Sequence, residues 1–171
     1  MNQLQIAIVG SRNPSAAGRE HAFQFAHAFA DQGLVVTSGL ALGIDAASHK
    51  GALAGKGKTL AVMGTGPDKI YPTAHRALAE QIKEQGALVT EFPTGATPLA
   101  AHFPRRNRLI SGLAAGLVVV EASCRSGSLI TAHYALEQNR EIFALPGALN
   151  NPLARGCHAL IKQGAKLVET A

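Results

Sequence analysis

Residues 37–45 have the sequence TSGLALGID, in which glycines stand at positions 39 and 43. The apolar residues 33–36 before this segment predict a short buried strand, and the small residues 46–54 after it predict a helix. Glycines in such a turn let backbone N–H groups point outward at the start of the helix, where the helix dipole favours an anion. Residues 37–45 therefore predict an anion-binding turn between a strand and a helix.

The same order of strand, turn and helix recurs along the whole chain. Short apolar strands that alternate with helices indicate an α/β fold, with a mostly parallel sheet covered by helices on both faces. The strands are predicted at residues 5–9, 33–36, 58–63, 87–92, 117–121, 141–145 and 166–168. The helices are predicted at residues 15–32, 46–54, 73–85, 102–115, 128–139 and 157–163.

Four turns that follow predicted strands are rich in glycine, serine or both, at residues 10–12, 38–43, 64–66 and 123–128. Ligands of open parallel sheets bind beyond the carboxyl ends of the strands. We therefore expect these turns to meet at one edge of the sheet and to form one anion-binding face there.

The composition bounds the class of protein. The chain has 171 residues, of which 47% are hydrophobic and 16% charged, so it can form one domain with a core. The net charge of +5 favours an acidic partner such as nucleic acid. Cys124 and Cys157 lack metal-ligand spacing, and the chain shows no signal peptide and no apolar run of about 18 residues. We expect a cytoplasmic protein without a membrane segment.

Several catalytic and cofactor motifs are incomplete. A dinucleotide fingerprint requires G-x-G-x-x-G after the first strand, but residues 10–15 are GSRNPS. No serine stands in the G-x-S-x-G context of a nucleophile elbow, and no histidine pair has the H-E-x-x-H spacing of a metal site. The sequence thus predicts no catalytic residue, no metal and no cofactor.

The densest basic cluster is HFPRRNR at residues 102–108. Arginines are costly to bury, so the three in this cluster are expected to face solvent or a ligand. Pro104 can begin a helix, which would place Arg105 and Arg108 on one side of it, where guanidinium groups suit phosphate. The alternative is a solvated helix start with an arginine paired to a carboxylate. Phe103 is expected to plug the core rather than to stack on a base.

Two more turns carry candidate ligands for phosphate. Arg12 follows the first predicted strand at the expected sheet edge, although a plain surface arginine is the alternative. Ser126, Gly127 and Ser128 precede a predicted helix, where hydroxyls and N–H groups suit phosphate, or where a serine simply caps the helix. Asp45 would repel a phosphate, so it is expected to cap its own helix or to orient a neighbouring arginine.

Taken together, these motifs resemble the DNA-processing protein A family, DprA or Smf. The resemblance implies an extended Rossmann-like domain at residues 1–171, without the helical and winged-helix domains that flank it in many members. The matching segments include IVGSR at residues 8–12, SGLALGID at 38–45, FPRRNRLISGL at 103–113, SGSLITA at 126–132 and GCHALIKQGA at 156–165.

The family resemblance also implies a function. It implies non-catalytic binding of single-stranded DNA, some binding of duplex DNA, protection of incoming DNA in natural transformation, and loading of the bacterial recombinase. It further implies a homodimer and no cofactor. The residues implied to contact DNA are Arg12, Ser38, Gly39, Gly43, Arg105, Asn107, Arg108, Ser126, Gly127 and Ser128.

Two other functions stay open from the residues alone. Residues 126–132 also resemble the P-G-G-x-G-T-x-x-E turn of lysine-decarboxylase-like phosphoribohydrolases, which cleave the base from a nucleotide. Ser126 and Ser128 depart from that glycine pattern. A partner-binding scaffold that makes no use of its basic face is the third possibility. With 5% aromatic residues, DNA affinity is expected to come mainly from phosphate contacts.

Overall fold

Parallel strands form one seven-stranded sheet in this computed structural model, which describes residues 3–171. Their order across the sheet is β4-β3-β2-β1-β5-β6-β7, and every neighbouring pair is parallel. The order changes direction between β1 and β5. The strands are β1 (Gln5–Gly10), β2 (Val35–Ser38), β3 (Thr59–Val62), β4 (Ala87–Val89), β5 (Gly116–Val120), β6 (Glu141–Ala144) and β7 (Lys166–Leu167).

Helices cover both faces of this sheet. Alternate residues of β5 belong to opposite layers of the core, because successive strand residues point to opposite faces. Leu117 and Val119 pack in the layer that contains α4, α5 and α6, and Val118 and Val120 pack in the layer that contains α1 and α2. The helices are α1 (Ala16–Asp31), α2 (Ile44–Ala54), α3 (Arg76–Gln85), α4 (His102–Leu113), α5 (Ser128–Glu137) and α6 (Arg155–Lys162).

The structure confirms the α/β, Rossmann-like class and the predicted elements, with shifts at several ends. The predicted bounds of the second strand are wrong, since β2 begins two residues later and includes Thr37 and Ser38. Gly33 has a φ of 77°, so it belongs to the loop after α1, and Thr37 pairs with Ala7 of β1 and Leu60 of β3. Ser38 is therefore the last residue of a central strand and not part of a turn.

The end of β4 matters for the surface described below. The strand stops at Val89, three residues before the predicted end. The Thr90 hydroxyl donates to the Thr65 carbonyl at 2.7 Å and accepts the Phe92 N–H at 3.0 Å, which turns the chain away from the sheet.

Within residues 3–171, no helix has both the length and the apolar character needed to cross a bilayer.

Because the central strands are buried, we expect a core substitution there to destabilise the fold. Leu117 in β5 is 0% exposed, whereas Leu149 in the loop after β6 is 87% exposed. Leu117→Ala is expected to lower the free energy of unfolding by about 2–5 kcal/mol, because it leaves a cavity between two layers. Leu149→Ala, the matched control, is expected to change it by less than about 0.5 kcal/mol. Urea denaturation measures both values, and equal effects would contradict the described core.

Candidate functional site

A cavity of about 490 Å³ opens at the carboxyl ends of β1 and β5. This is the point where the strand order changes direction, which is the usual ligand position in an open parallel sheet. Three of the four predicted turns contribute to its wall, together with residues of β1, α2, α4 and α5. The fourth turn, at residues 64–66, lies behind this wall, where the Gly64 carbonyl is 3.2 Å from Nδ1 of His102. The lining includes Ser11, Arg12, Ala41, Phe103, Asn107 and Ser126.

Arg12 supplies the exposed positive charge of this cavity. Its turn is fixed to the end of β5, because the Ser11 N–H donates to the Glu121 carbonyl at 2.6 Å. The guanidinium lies 5.5 Å from the ring centroid of Phe103. Among the described residues, no carboxylate lies within ion-pair distance of Arg12. Arg12 can therefore offer its donors to an anion in the cavity.

The SGS turn at residues 126–128 forms the opposite wall. The hydroxyls of Ser126 and Ser128 lie 2.7 Å apart, and Ser126 Oγ accepts the Ser128 N–H at 3.3 Å. Gly127 is the N-cap residue of α5 and makes no side-chain capping bond. Asn107 Nδ2 donates to the Gly127 carbonyl at 3.4 Å, which links α4 to this turn. The positive end of the α5 dipole thus faces the cavity beside two hydroxyls, an arrangement that suits a phosphate.

Arg106 corrects the expectation that all three clustered arginines face solvent or a ligand, because it is 3% exposed. Its Nη1 donates to the Gly39 carbonyl at 2.6 Å and to the Val62 carbonyl, and its Nε donates to Asn107 Oδ1 at 3.2 Å. The carbonyls belong to the ends of β2 and β3. Burial lowers the pKa of Arg106 to about 10, so the group stays charged at neutral pH. Arg106 therefore ties α4 to two strand ends.

Helical geometry explains why Arg106 differs from its neighbours. Positions 105 and 108 are three residues apart and share one side of α4, whereas position 106 turns toward the sheet. Sequence reasoning missed this residue, although the spacing carried the signal: arginines at 105, 106 and 108 cannot all share one helix face.

Asp45 holds the turn that Arg106 contacts. Its Oδ2 accepts the N–H groups of Gly39 at 3.1 Å and Ala41 at 3.2 Å, so it fixes the turn before α2 and does not cap the helix. Burial raises the pKa of Asp45, and the Arg106 charge and these two N–H groups oppose that shift. The carboxylate orients its neighbouring arginine indirectly, through the position of the Gly39 carbonyl.

The structure gives Gly39, Gly43 and Ser38 positioning roles. A Cβ on Gly39 would lie 2.7 Å from Arg106 Nη1 and 2.7 Å from Asp45 Oδ2, so only glycine fits between these charges. Gly43 has a φ of 81°, and a Cβ there would lie 2.3 Å from the Ser11 carbonyl oxygen. Ser38 is 0% exposed and its hydroxyl donates to the Ile8 carbonyl at 2.7 Å. The contact of Ser38 with DNA that the family resemblance implies stays a prediction, and the hydroxyl of Ser38 is buried and already bonded.

Arg105 and Arg108 lie on the outer side of α4, beside the cavity. Their side chains are 66% and 44% exposed. Both contact the Glu91 carboxylate: Arg105 Nε lies 3.7 Å from Oε1, and Arg108 Nη2 pairs with Oε2. The sequence predicted that Arg105 and Arg108 share one side of α4. It also left open the alternative that an arginine of this cluster pairs with a carboxylate, and Glu91 is that carboxylate.

Phe103 corrects another expectation, since it is half-buried on the cavity wall and does not plug the core. Its ring centroid lies 5.5 Å from that of Tyr71, whose side chain is 45% exposed. Arg12 and Arg106 approach the ring at 5.5 and 6.0 Å. The site thus has an aromatic surface next to its cationic one.

The buried charge of Arg106 makes a second prediction. Arg106→Met is expected to lower the free energy of unfolding by about 3–5 kcal/mol, because two buried carbonyls lose their donor and the positive charge that favours the buried Asp45 carboxylate is removed. Arg105→Met, the matched control on the exposed side of α4, is expected to cost less than about 0.5 kcal/mol. Chemical denaturation with circular dichroism compares the two. If Arg106→Met is as stable as the control, the guanidinium does not tie α4 to the strand ends.

Comparison with known proteins identifies the family of this chain. The family model described as DNA recombination-mediator protein A matches residues 1–171. The chain is 53% identical to Protein Smf of Escherichia coli over 169 residues, which are 98% of this chain and 45% of that protein. It is 46% identical to DNA processing protein DprA of Streptococcus pneumoniae over 164 residues, or 96% of this chain and 58% of that protein. The chain therefore spans about half the length of these relatives.

Solved structures extend the likeness to the fold. The X-ray structure of DprA from Streptococcus pneumoniae superposes with a TM-score of 0.91 at 45% identity, over 98% of this chain and 59% of that one. DNA processing protein A from Helicobacter pylori, described for its single-stranded DNA binding mode, gives a TM-score of 0.89 at 30% identity, over 96% and 74% of the two chains. On the family match, these identities and the shared fold, the chain belongs to the DNA processing protein A (DprA/Smf) family.

Proposed function

We propose that this chain binds single-stranded DNA, without catalysis, through the carboxyl edge of its sheet. The observation that carries the proposal is the cavity in which an exposed guanidinium and the start of α5 face each other. The relative from Helicobacter pylori is described as a single-stranded DNA binder, which supports the same assignment here. The proposed direct contacts are Arg12, Asn107, Ser126, Gly127 and Ser128, with Arg105 and Arg108 extending the surface.

The chemistry of the wall suits a phosphate. The guanidinium of Arg12 can donate two parallel hydrogen bonds to one phosphate, while hydroxyls and the α5 N-terminus approach from the other side. Ser38, Gly39 and Gly43 support this geometry from behind the wall, as described above. Because none of these groups reads a base edge, the contacts are expected to hold DNA of any sequence.

Single strands suit the aromatic part of the wall better than duplex DNA does. The ring of Phe103 lies beside Arg12, and the exposed Tyr71 lies next to it. A base can stack on such a surface only when it is not paired inside a duplex. The proposal therefore gives duplex binding a weaker and purely phosphate-based role.

The residues at the cavity do not favour the phosphoribohydrolase alternative. Within residues 3–171, Asp45 is the only carboxylate that lines the cavity. It accepts two backbone N–H groups and is 7% exposed, so it is engaged in holding the turn.

The wider biological role is proposed from family membership. We infer that the protein protects incoming DNA during natural transformation and loads the bacterial recombinase, as a homodimer in the cytoplasm. Matches to proteins named DNA processing protein DprA support this role. This chain covers 58% and 56% of those two proteins, so the wider role is a proposal drawn from family membership.

A binding assay tests the proposal. Fluorescence anisotropy with a labelled oligothymidylate is expected to show binding that weakens as salt rises. Arg12→Ala is expected to weaken binding about tenfold and to reduce the slope of log K against log salt by about 0.7, the value of one lost phosphate contact on a single strand. Asn107→Ala is expected to weaken binding less, because an uncharged group is lost.

The control removes a positive charge from the other edge of the sheet. Lys58 is exposed just before β3, at the amino end of the strands. Lys58→Ala changes the net charge as Arg12→Ala does, and it is expected to leave binding within about twofold of wild type. The proposal fails if the wild-type chain does not bind the oligonucleotide, or if the two variants bind equally.

A further inference from the structure

We propose that Glu91 is an internal competitor of DNA, which pairs with Arg105 and Arg108 in the free protein and must be displaced before phosphates can take its place. This inference rests on the proposed function, because it concerns how the same surface admits its ligand. The observation behind it is that one carboxylate contacts both exposed arginines of the cluster.

Glu91 is held in place and is not a freely moving surface side chain. It lies just after β4, between Thr90 and Phe92. The Thr90 hydroxyl accepts the Phe92 N–H and donates to the Thr65 carbonyl, which fixes the backbone on both sides of Glu91. The Phe92 ring is 8% exposed and stacks on His102 of α4, with 4.1 Å between ring centroids. The Glu91 side chain is itself 20% exposed. The backbone therefore presents the carboxylate to α4 in a defined position.

The two arginines remain open to solvent on their other sides. Each guanidinium has five N–H donors, and a single carboxylate satisfies only some of them. The ring of Phe92 lies 5.8 Å from the Arg105 guanidinium and supports it from one side. Because exposed ion pairs are weak, a phosphate that reaches these donors can replace the carboxylate. Phosphate and carboxylate present the same bidentate geometry to arginine, so the exchange needs no rearrangement of α4.

Competition from Glu91 lowers the binding of an isolated anion more than the binding of a DNA strand. A DNA strand held at the Arg12 cavity presents its next phosphates to the outer side of α4 at high effective concentration. An isolated nucleotide has no such advantage and must displace Glu91 unaided. The displaced carboxylate also repels the incoming phosphates, which lowers the affinity of the wild-type surface. Removing its charge should therefore strengthen binding, whereas removing a carboxylate that merely orients the arginines should weaken it.

The test is oligothymidylate binding by the Glu91→Gln variant at fixed salt. The dissociation constant is expected to fall about three- to tenfold, the range that follows from releasing two exposed ion pairs. In an Arg105→Ala/Arg108→Ala background, the same substitution is expected to give less than half of that gain on a logarithmic scale. Glu84→Gln is the matched control: Glu84 is exposed near the end of α3, at the amino edge of the sheet, and its substitution changes the net charge equally.

Each outcome decides the inference. Tighter binding by Glu91→Gln that depends on the two arginines supports it. Unchanged or weaker binding overturns it, as does an equal gain from Glu84→Gln, which would show a general charge effect. If wild type does not bind the oligonucleotide at all, the proposed function fails first. If Glu91→Gln does not fold, side-chain NMR of the wild-type chain gives the answer, because displacement requires the Arg108 and Glu91 signals to move together as DNA is added.

Discussion

The common direction of all seven strands is the constraint on which the site depends. Parallel strands send every strand-to-helix turn to the same edge, so segments far apart in the chain meet there. The turns after β1 and β5 face each other because these strands are neighbours in the sheet although about 110 residues separate them in sequence. A change of direction in either central strand would move Arg12 or Ser126 to the opposite edge and divide the cavity.

Two kinds of charge then share that edge. Arg106 and Asp45 are buried. Arg106 donates to carbonyls at the strand ends, and Asp45 accepts N–H groups of the turn after β2. Arg12, Arg105 and Arg108 are exposed, and Arg105 and Arg108 can exchange the Glu91 carboxylate for another anion. The buried pair fixes the shape of the wall, and the exposed guanidinium groups supply its attraction for an anion. Burial makes the hydrogen bonds of Arg106 and Asp45 to the backbone costly to break, whereas the ion pairs of Arg105 and Arg108 are exposed and weak.

The alternation of apolar strands and helices was sufficient to predict the fold and the edge at which the turns meet. The residue-level errors have local physical causes. Ser38 was assigned to a turn because the apolar run ends at Val36, whereas β2 continues through Thr37, which pairs with both neighbouring strands, and Ser38, which pairs with β3. Arg106 was expected outside, because the strand-end carbonyls that satisfy it belong to Gly39 and Val62, far away in sequence.

Contacts between residues far apart in the chain could not be predicted from the sequence. Glu91 and Arg108 are 17 residues apart and belong to different elements, so no local pattern relates them. The position of Phe103 depends on Tyr71 and Gly64, both more than 30 residues earlier in the chain. The candidate residues could therefore be named from motifs, but their division into contacting and supporting groups required coordinates.

Amide hydrogen exchange with and without single-stranded DNA tests the central claim most directly, because it reports every part of the backbone in one experiment. Convergence at the carboxyl edge predicts that DNA slows exchange in residues 10–13, 103–108 and 123–130 together. It also predicts no change at the amino edge, in residues 56–58 and 84–87. Protection confined to one of the three segments, or centred on the amino edge, would contradict a common binding edge.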